Sequence, residues 1–385
     1  MPANILVVDD EPDVESLIRQ KFRKKIQSQE FRFIFAANGV EALEKIRQNA
    51  GIDIVLTDIN MPEMDGLTLL AKISEQGMVL KAVVISAYDD MANIRTAMNH
   101  GAFDFLTKPL DFRDLEITID RTLHELSAFK QGLHARDQLI VIEKELSLAA
   151  SIQQSILPQT FPPFPERREF EIYAQMVPAR HVGGDFYDFF LIDEERIGFV
   201  IADVSGKGVP AAIFMAMSRA LLKATALTCV SPGECLRHVN SLLCRESDAG
   251  LFVTLFYGIL RIRTGEVEYS TAGHFPPYLV RGTSIARLEY KGGMVLGVRE
   301  VNEYQSGSIV LPPGTGLFLY TDGVTEARDV QQNFFSDHRL EEFLQRNGGS
   351  SLPEIIQGAI SEVGHFSAGT PQTDDITILA LRYLG

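Results

Sequence analysis

The chain reads as an α/β unit and an α+β unit joined by a long helix. The first is a five-stranded, doubly wound parallel sheet; the second is a sandwich of two β-sheets flanked by helices. Three observations predict this. Over about the first 125 residues, five short apolar runs alternate with helical patterns, which requires a parallel sheet wrapped on both faces. From Asp111 to Leu157 a helical pattern continues until Pro158 ends it. From about Glu169 onward strand-like runs follow one another, interrupted by few helices.

The apolar runs of the first unit are ANILVVDD, FRFIFA, DIVLTD, LKAVVIS and FDFLTK, with helix-like stretches such as Pro12–Gln29 and Asn38–Asn49 between them. In such sheets function collects at the carboxyl ends of the strands. There stand Asp9 and Asp10 after the first run, Asp58 after the third, Ser86 after the fourth and Lys108 after the fifth. Each pair of carboxylates at ~5 Å and an effective dielectric of ~20 repels by about 3 kcal/mol. A divalent cation with oxygen ligands is the natural neutraliser, and Mg²⁺ keeps water and phosphate oxygens in its shell. Ser86 offers a hydrogen bond and Lys108 a point charge to a phosphoryl group.

This pattern resembles the response-regulator receiver domain, flavodoxin-like in fold, over residues 1–126. The resemblance implies that Asp58, in LTDINMPEMDG, accepts a phosphoryl group from a cognate histidine kinase. It implies Mg²⁺ held by Asp10, Asp58 and the carbonyl of Asn60, with Asp9 in support. Phe105 fits the switch aromatic, acting with Ser86 and Lys108. The Lys108–Pro109 bond is expected to be cis.

Residues 127–160 form the connector. Leu126, Leu133 and Ile140 are seven apart, and Leu139, Ile142, Leu146, Ala149 and Ile156 continue the apolar spacing. That suits the seam of a parallel coiled-coil homodimer. The alternative is an amphipathic helix packed on its own domain. The phase slips near Gly132, a candidate hinge. PQTFPPFPERR, rich in proline, marks a boundary.

Residues 161–385 form the second unit. Its strand-like runs are FEIYAQMV, DFYDFFLI, IGFVIAD, LFVTLFYGILRI, EVEYSTAG, PPYLV, IARLEY, SIVLP, GLFLYTD and DITILALRY. Helical patterns cover Val209–Leu227, Pro232–Arg245, His338–Arg346 and Pro353–Val363. Asp203 and Asp322 end apolar strands, Asp374 and Asp375 begin one, and Asp185 sits in HVGGDFYDFF. Carboxylates without clustered His or Cys specify hard cations, Mg²⁺ or Mn²⁺. Two such ions about 3.5–4 Å apart activate a water and clamp a phosphoryl oxygen.

The ordered motifs AASIQQSILP, VGGDFYD, ADVSGKGVPAA, TAGHFPP, YTDGVTEA and TDDITIL resemble the metal-dependent protein phosphatases of the PPM family, in their SpoIIE/RsbU-like branch. The resemblance implies a protein serine/threonine phosphatase with two Mn²⁺ or Mg²⁺ ions. Asp203 bridges them, the Val204 carbonyl adds a ligand, and Asp322 and Asp374 complete the set. Asp185 matches an acid at the same centre, for a looser or third ion. Asp375 stands where the wider family often has Asn. A STAS-domain anti-anti-sigma factor is the implied substrate, in a partner-switching pathway. A catalytically weak adaptor of the same fold, binding a sigma-factor regulator, is the rival class; it should have lost acids that remain here.

Two glycines before an acid also resemble the GGDEF turn of diguanylate cyclases, but a cyclase would leave Asp203, Asp322 and Asp374 unexplained. SGKG lacks the upstream glycine of a nucleotide P-loop. Gly184, Gly206 and Gly273 mark close backbone approaches. His274 is read as shaping a loop, with contact to substrate as the alternative, and Arg180 and His181 as candidate attractors of phosphate.

The net charge of −15 argues against nucleic acid or an anionic membrane as partner. Cys229, Cys235 and Cys244 have no zinc-type spacing, and idle thiols fit a reducing cytosol. The start, MPANILVVDD, lacks the basic flank of a signal peptide. No apolar run approaching 18 residues is evident, so a cytoplasmic protein is expected.

Overall fold

The computed structural model describes residues 2–49, 51–87, 91–246, 250–290 and 292–385. It divides into two compact units, Met1–Val141 and Ile142–Gly385.

The five apolar runs of the first unit form β1 (Ala3–Val8), β2 (Phe31–Ala36), β3 (Ile54–Asp58), β4 (Lys81–Ala87) and β5 (Asp104–Lys108). All pair in parallel, in the order β2-β1-β3-β4-β5. Every residue of β3 is buried, as a strand covered on both faces must be. Alternate residues serve the two faces: Leu6, Val8, Val55 and Val84 enter one core, and Ile5, Val7, Leu56 and Ile85 the other. The helices are α1 (Pro12–Lys21), α2 (Arg23–Gln27), α3 (Gly39–Gln48), α4 (Gly66–Glu75) and α5 (Met91–Asn99). The single helix expected from Pro12 to Gln29 is two. Phe22 leaves helical geometry between them, and its ring packs against Phe31 and Phe33.

The connector is one helix, α6 (Phe112–Ile156), of 45 residues. It passes through Gly132 unbroken. A lone glycine costs about 1 kcal/mol relative to alanine, too little to interrupt a helix this long. Leu115, Ile119 and Leu126 are buried in the first unit, whereas Leu139, Ile140, Val141, Ile142, Leu148 and Ile152 are exposed.

In the second unit the strands are β6 (Phe170–Val177), β7 (Phe186–Leu191), β8 (Arg196–Val204), β9 (Val253–Arg261), β10 (Glu266–Ala272), β11 (Tyr278–Arg281), β12 (Ser284–Arg287), β13 (Gly307–Val310), β14 (Gly316–Tyr320) and β15 (Ile376–Tyr383). The helices are α7 (Val209–Ala226), α8 (Pro232–Glu246), α9 (Asp322–Thr325), α10 (Ser336–Asn347) and α11 (Leu352–Phe366). One sheet has the order β13-β10-β9-β8-β7, the other β12-β11-β14-β15-β6. Leu317 and Leu319 face the core shared with Phe199 and Tyr257, while Phe318 and Tyr320 face the core under α10 and α11. This is the α+β sandwich that the strand and helix patterns predict.

By length and composition alone α7 could cross a membrane, contrary to the sequence expectation. Its Ala211, Phe214, Met215, Leu222 and Ala226 are instead packed in the core. Its Arg219 and Lys223 pair with the buried Asp188 of β7 at 2.8 and 3.5 Å.

Candidate functional site

The register of the first sheet assembles the first site. Val8 pairs with Thr57, so the residues that follow, Asp9, Asp10 and Asp58, emerge side by side. Each offers an oxygen within 4.8 Å of the others, the one such set of three metal-ligating side chains among the described residues. Asp9 accepts from the Glu11 N–H at 2.9 Å, and Asp58 from the Ile59 N–H at 2.7 Å. Lys108 Nζ lies 2.7 Å from Asp58 Oδ2, 3.3 Å from Asp9 Oδ2 and 3.2 Å from Glu11 Oε1. Burial raises the Asp9 pKa above the usual range; Lys108 opposes this with its charge, and Asp58 adds to it. Burial alone would lower the Lys108 pKa, but its hydrogen bond and ion pair with Asp58 turn the shift upward.

Ser86 Oγ is buried and has no hydrogen-bond partner among the described residues. An all-oxygen acidic set with an orphaned hydroxyl and an ammonium fits a hard cation and a phosphoryl group. Gly66 allows α4 to start here: a Cβ would lie 2.1 Å from the Asp58 carbonyl oxygen. Asn60 is exposed two residues past Asp58. Phe105 is exposed on β5, three residues before Lys108, and the Lys108–Pro109 bond is cis.

The second site lies where the two sheets of the sandwich meet. In one sheet Phe186 pairs with Ala202, so Asp185 and Asp203 fall opposite one another. In the other, Asp322 opens α9 after β14, and Asp374 immediately precedes Asp375 and β15. Close approaches fix this arrangement. A Cβ on Gly323 would stand 1.9 Å from the Asp375 carbonyl oxygen, and one on Gly184 2.8 Å from the Val204 carbonyl oxygen. Gly206 and Gly273 have φ of 87° and 73°, conformations that side chains other than glycine's disfavour.

These acids repel one another. Asp203 is pushed up to about 7 by burial first, then by Asp322 and Asp374. Asp322 rises to about 6 through burial, Asp374 and Glu326. Asp185, fully buried, is raised well above the usual range by desolvation and by Asp203 and Asp375, although Thr321 Oγ1 donates to it at 2.7 Å. Asp375 differs from the rest: its oxygens accept backbone N–H groups from Ala179 at 2.8 Å and Gly184 at 2.7 Å. Lys207 reaches from the SGKG loop to Asp374 Oδ2 at 2.7 Å and to the Thr373 carbonyl. Oxygen donors that ionise reluctantly because they are crowded suit Mg²⁺ or Mn²⁺, whose charge would relieve the repulsion. His274 is buried, with Nδ1 3.0 Å from Thr254 Oγ1. Burial lowers its pKa to about 4, which favours the neutral ring.

The family model of the response regulator receiver domain matches residues 5–120, and that of stage II sporulation protein E (SpoIIE) matches residues 193–384. The chain joins a response-regulator receiver domain to a SpoIIE-type domain of the PPM phosphatases.

Protein IcfG of Synechocystis sp. is 33% identical over 265 residues, covering 62% of this chain and 41% of that protein. Phosphoserine phosphatase RsbU of Bacillus subtilis is 29% identical over 276 residues, covering 70% of this chain and 79% of that one. The SiaA-PP2C domain of Pseudomonas aeruginosa aligns with a TM-score of 0.57 at 23% identity, covering 64% of this chain and 98% of that domain, a likeness of fold. The chain thus spans less than half of the first of these relatives and about four-fifths of the second.

Sequence reasoning missed four contributors. Glu11 shares Lys108 in the receiver domain. In the phosphatase domain Lys207 holds Asp374, Thr321 holds Asp185, and Gln153 grips the GGD turn. SGKG signalled Lys207 by its place after Asp203. The others depend on contacts between distant residues and left no local signal.

Proposed function

We propose that the protein is a two-component response regulator whose output is metal-dependent dephosphorylation of phosphoserine or phosphothreonine in a protein. The carrying observation is the convergence of Asp203, Asp322 and Asp374 from two sheets on one site, where burial, and after it their mutual repulsion, raises the pKa values of Asp203 and Asp322. In this reading Asp203, the Val204 carbonyl, Asp322 and Asp374 hold two Mg²⁺ or Mn²⁺ ions, and Asp185 supports a looser one. Bound ions supply an activated water and neutralise the phosphoryl oxygens. The chain's own part is to hold the donors rigidly at the strand ends. Asp375 anchors the turn that carries Asp185. Retention of the acids favours an enzyme over the adaptor reading.

Control comes from Asp58, phosphorylated by a histidine kinase, with Mg²⁺ held by Asp9, Asp10, Asp58 and the Asn60 carbonyl. Ser86 and Lys108 receive the phosphoryl oxygens and Phe105 responds. The exposed apolar residues of α6 support a homodimer through the connector, because six large side chains left in water are costly. The likeness to phosphoserine phosphatase RsbU supports a phosphoserine substrate; a STAS-type anti-anti-sigma factor and a cytoplasmic location extend the resemblance carried by the sequence motifs. The test is release of phosphate from phosphorylated STAS proteins by the full chain, with Mn²⁺ or chelator and with or without acetyl phosphate. Turnover that needs Mn²⁺ and rises with acetyl phosphate is expected. Binding without turnover would favour the adaptor.

A further inference from the structure

The last turns of α6 touch the turn that bears Asp185. Gln153, in AASIQQSILP, is 8% exposed. Its Nε2 donates to the Gly183 carbonyl at 2.7 Å, and its Oε1 accepts from the Gly183 N–H at 3.0 Å. One side-chain amide thus satisfies both polar groups of one buried residue, 30 residues away in sequence. Two bonds in opposite directions fix the orientation of that backbone as well as its position. On its other side Gly183 has no room: a Cβ would lie 2.2 Å from Asp375 Oδ2. That same oxygen accepts from the Gly184 N–H at 2.7 Å. A second tie lies just beyond the helix, where Tyr187 Oη of β7 donates to the Pro158 carbonyl at 2.8 Å.

We propose that Gln153 is a positioning residue: its amide clasps Gly183 so that the final turns of the connector helix set where Asp185 stands relative to Asp203. A helix running from Phe112 to Ile156 thereby has a defined mechanical contact with the acid cluster. Any change in the register or tilt of its last turns must either carry the GGD turn with it or break two buried hydrogen bonds. The inference rests on the reading that these acids hold cations.

The test uses the full chain with Gln153→Met, which keeps the volume and removes both bonds, and Gln153→Glu, which keeps an acceptor for the Gly183 N–H but turns an oxygen toward the Gly183 carbonyl. Amide hydrogen exchange over residues 179–187 reads the clasp directly. Mn²⁺ calorimetry reads its consequence, with the receiver-domain site as internal control, and melting curves check folding. Both variants should melt within a few degrees of wild type and exchange at least tenfold faster over that segment. They should bind Mn²⁺ at the phosphatase site at least tenfold more weakly, with turnover largely restored by excess Mn²⁺. Unchanged exchange overturns the clasp. Faster exchange with Mn²⁺ affinity within twofold of wild type overturns its role in the metal centre. Wild type that binds no Mn²⁺ in the phosphatase domain, while its receiver site binds, refutes the metal reading itself and this inference with it.

Discussion

Replacing Asp203 with asparagine should stabilise the metal-free protein while removing its response to Mn²⁺. Asp203 has a pKa of about 7 in the folded chain against 3.8 ordinarily. A group whose folded pKa is raised favours the folded state while it keeps its proton. That advantage is present below about 4 and is lost as pH rises through 7, so at pH 8 the folded chain bears the full cost of ionising Asp203. A rise of about three pKa units corresponds to about 4 kcal/mol at 1.36 kcal/mol per unit. Partial solvent access and relaxation around the crowded acids reduce this, and about 2 kcal/mol is a fair expectation. For a unit of this size, 1 kcal/mol moves the melting temperature by about 2–4 °C. Asp203→Asn should therefore melt about 4–8 °C higher than wild type at pH 8 in chelator.

The assay is thermal unfolding of both proteins at pH 5.5 and pH 8, in chelator and in millimolar Mn²⁺. The gap between them should shrink at pH 5.5, where wild-type Asp203 keeps its proton. Mn²⁺ should raise the wild-type transition at pH 8 by ligand linkage and leave the variant's phosphatase transition unmoved. A variant that melts lower than wild type in chelator at pH 8 would refute the claim that Asp203 is held in place against its own electrostatics.

Three further outcomes follow from the same geometry. Acetyl phosphate or beryllofluoride with Mg²⁺ should modify wild type at one residue and leave Asp58→Ala unlabelled; stoichiometric labelling of the variant by intact mass would exclude Asp58 as sole acceptor. Inserting four residues at Gly132 rotates the two ends of α6 by about 40° at 3.6 residues per turn, and should abolish the effect of beryllofluoride on turnover while Asp58 labelling and Mn²⁺ binding persist; an undiminished response would move the signal off the helix. Lys207→Ala removes a positive charge from a half-exposed pair with Asp374, worth up to about 1 kcal/mol, so Mn²⁺ should bind up to about fivefold tighter by calorimetry; weaker binding would mean that Lys207 organises the site rather than competing for it.

What the sequence disclosed, and what it withheld, divides along one physical line. The five strand ends of the receiver domain and the acids of the phosphatase domain were legible because each stands next to an apolar run whose period fixes where the strand stops. Asp58 closes IVLTD and Asp203 nearly closes β8, so their placement needs only local pattern. The break at Phe22 was not legible, because it reflects packing of that ring against Phe31 and Phe33 across the fold. The apolar length of α7 escaped notice because Arg219 and Lys223 interrupt the run, and their partner Asp188 lies on a different element. The division is sharpest at GGD. Gly184 could be read as a close approach, and it meets the Val204 carbonyl as expected. What the turn is held by could not be read: Gln153 and Asp375 lie 30 and 191 residues from the groups they bind. The proposed metal site is thus written locally in its acids and non-locally in the residues that aim them. In the proposed mechanism control acts through the second set, because the acids themselves cannot change without destroying the site.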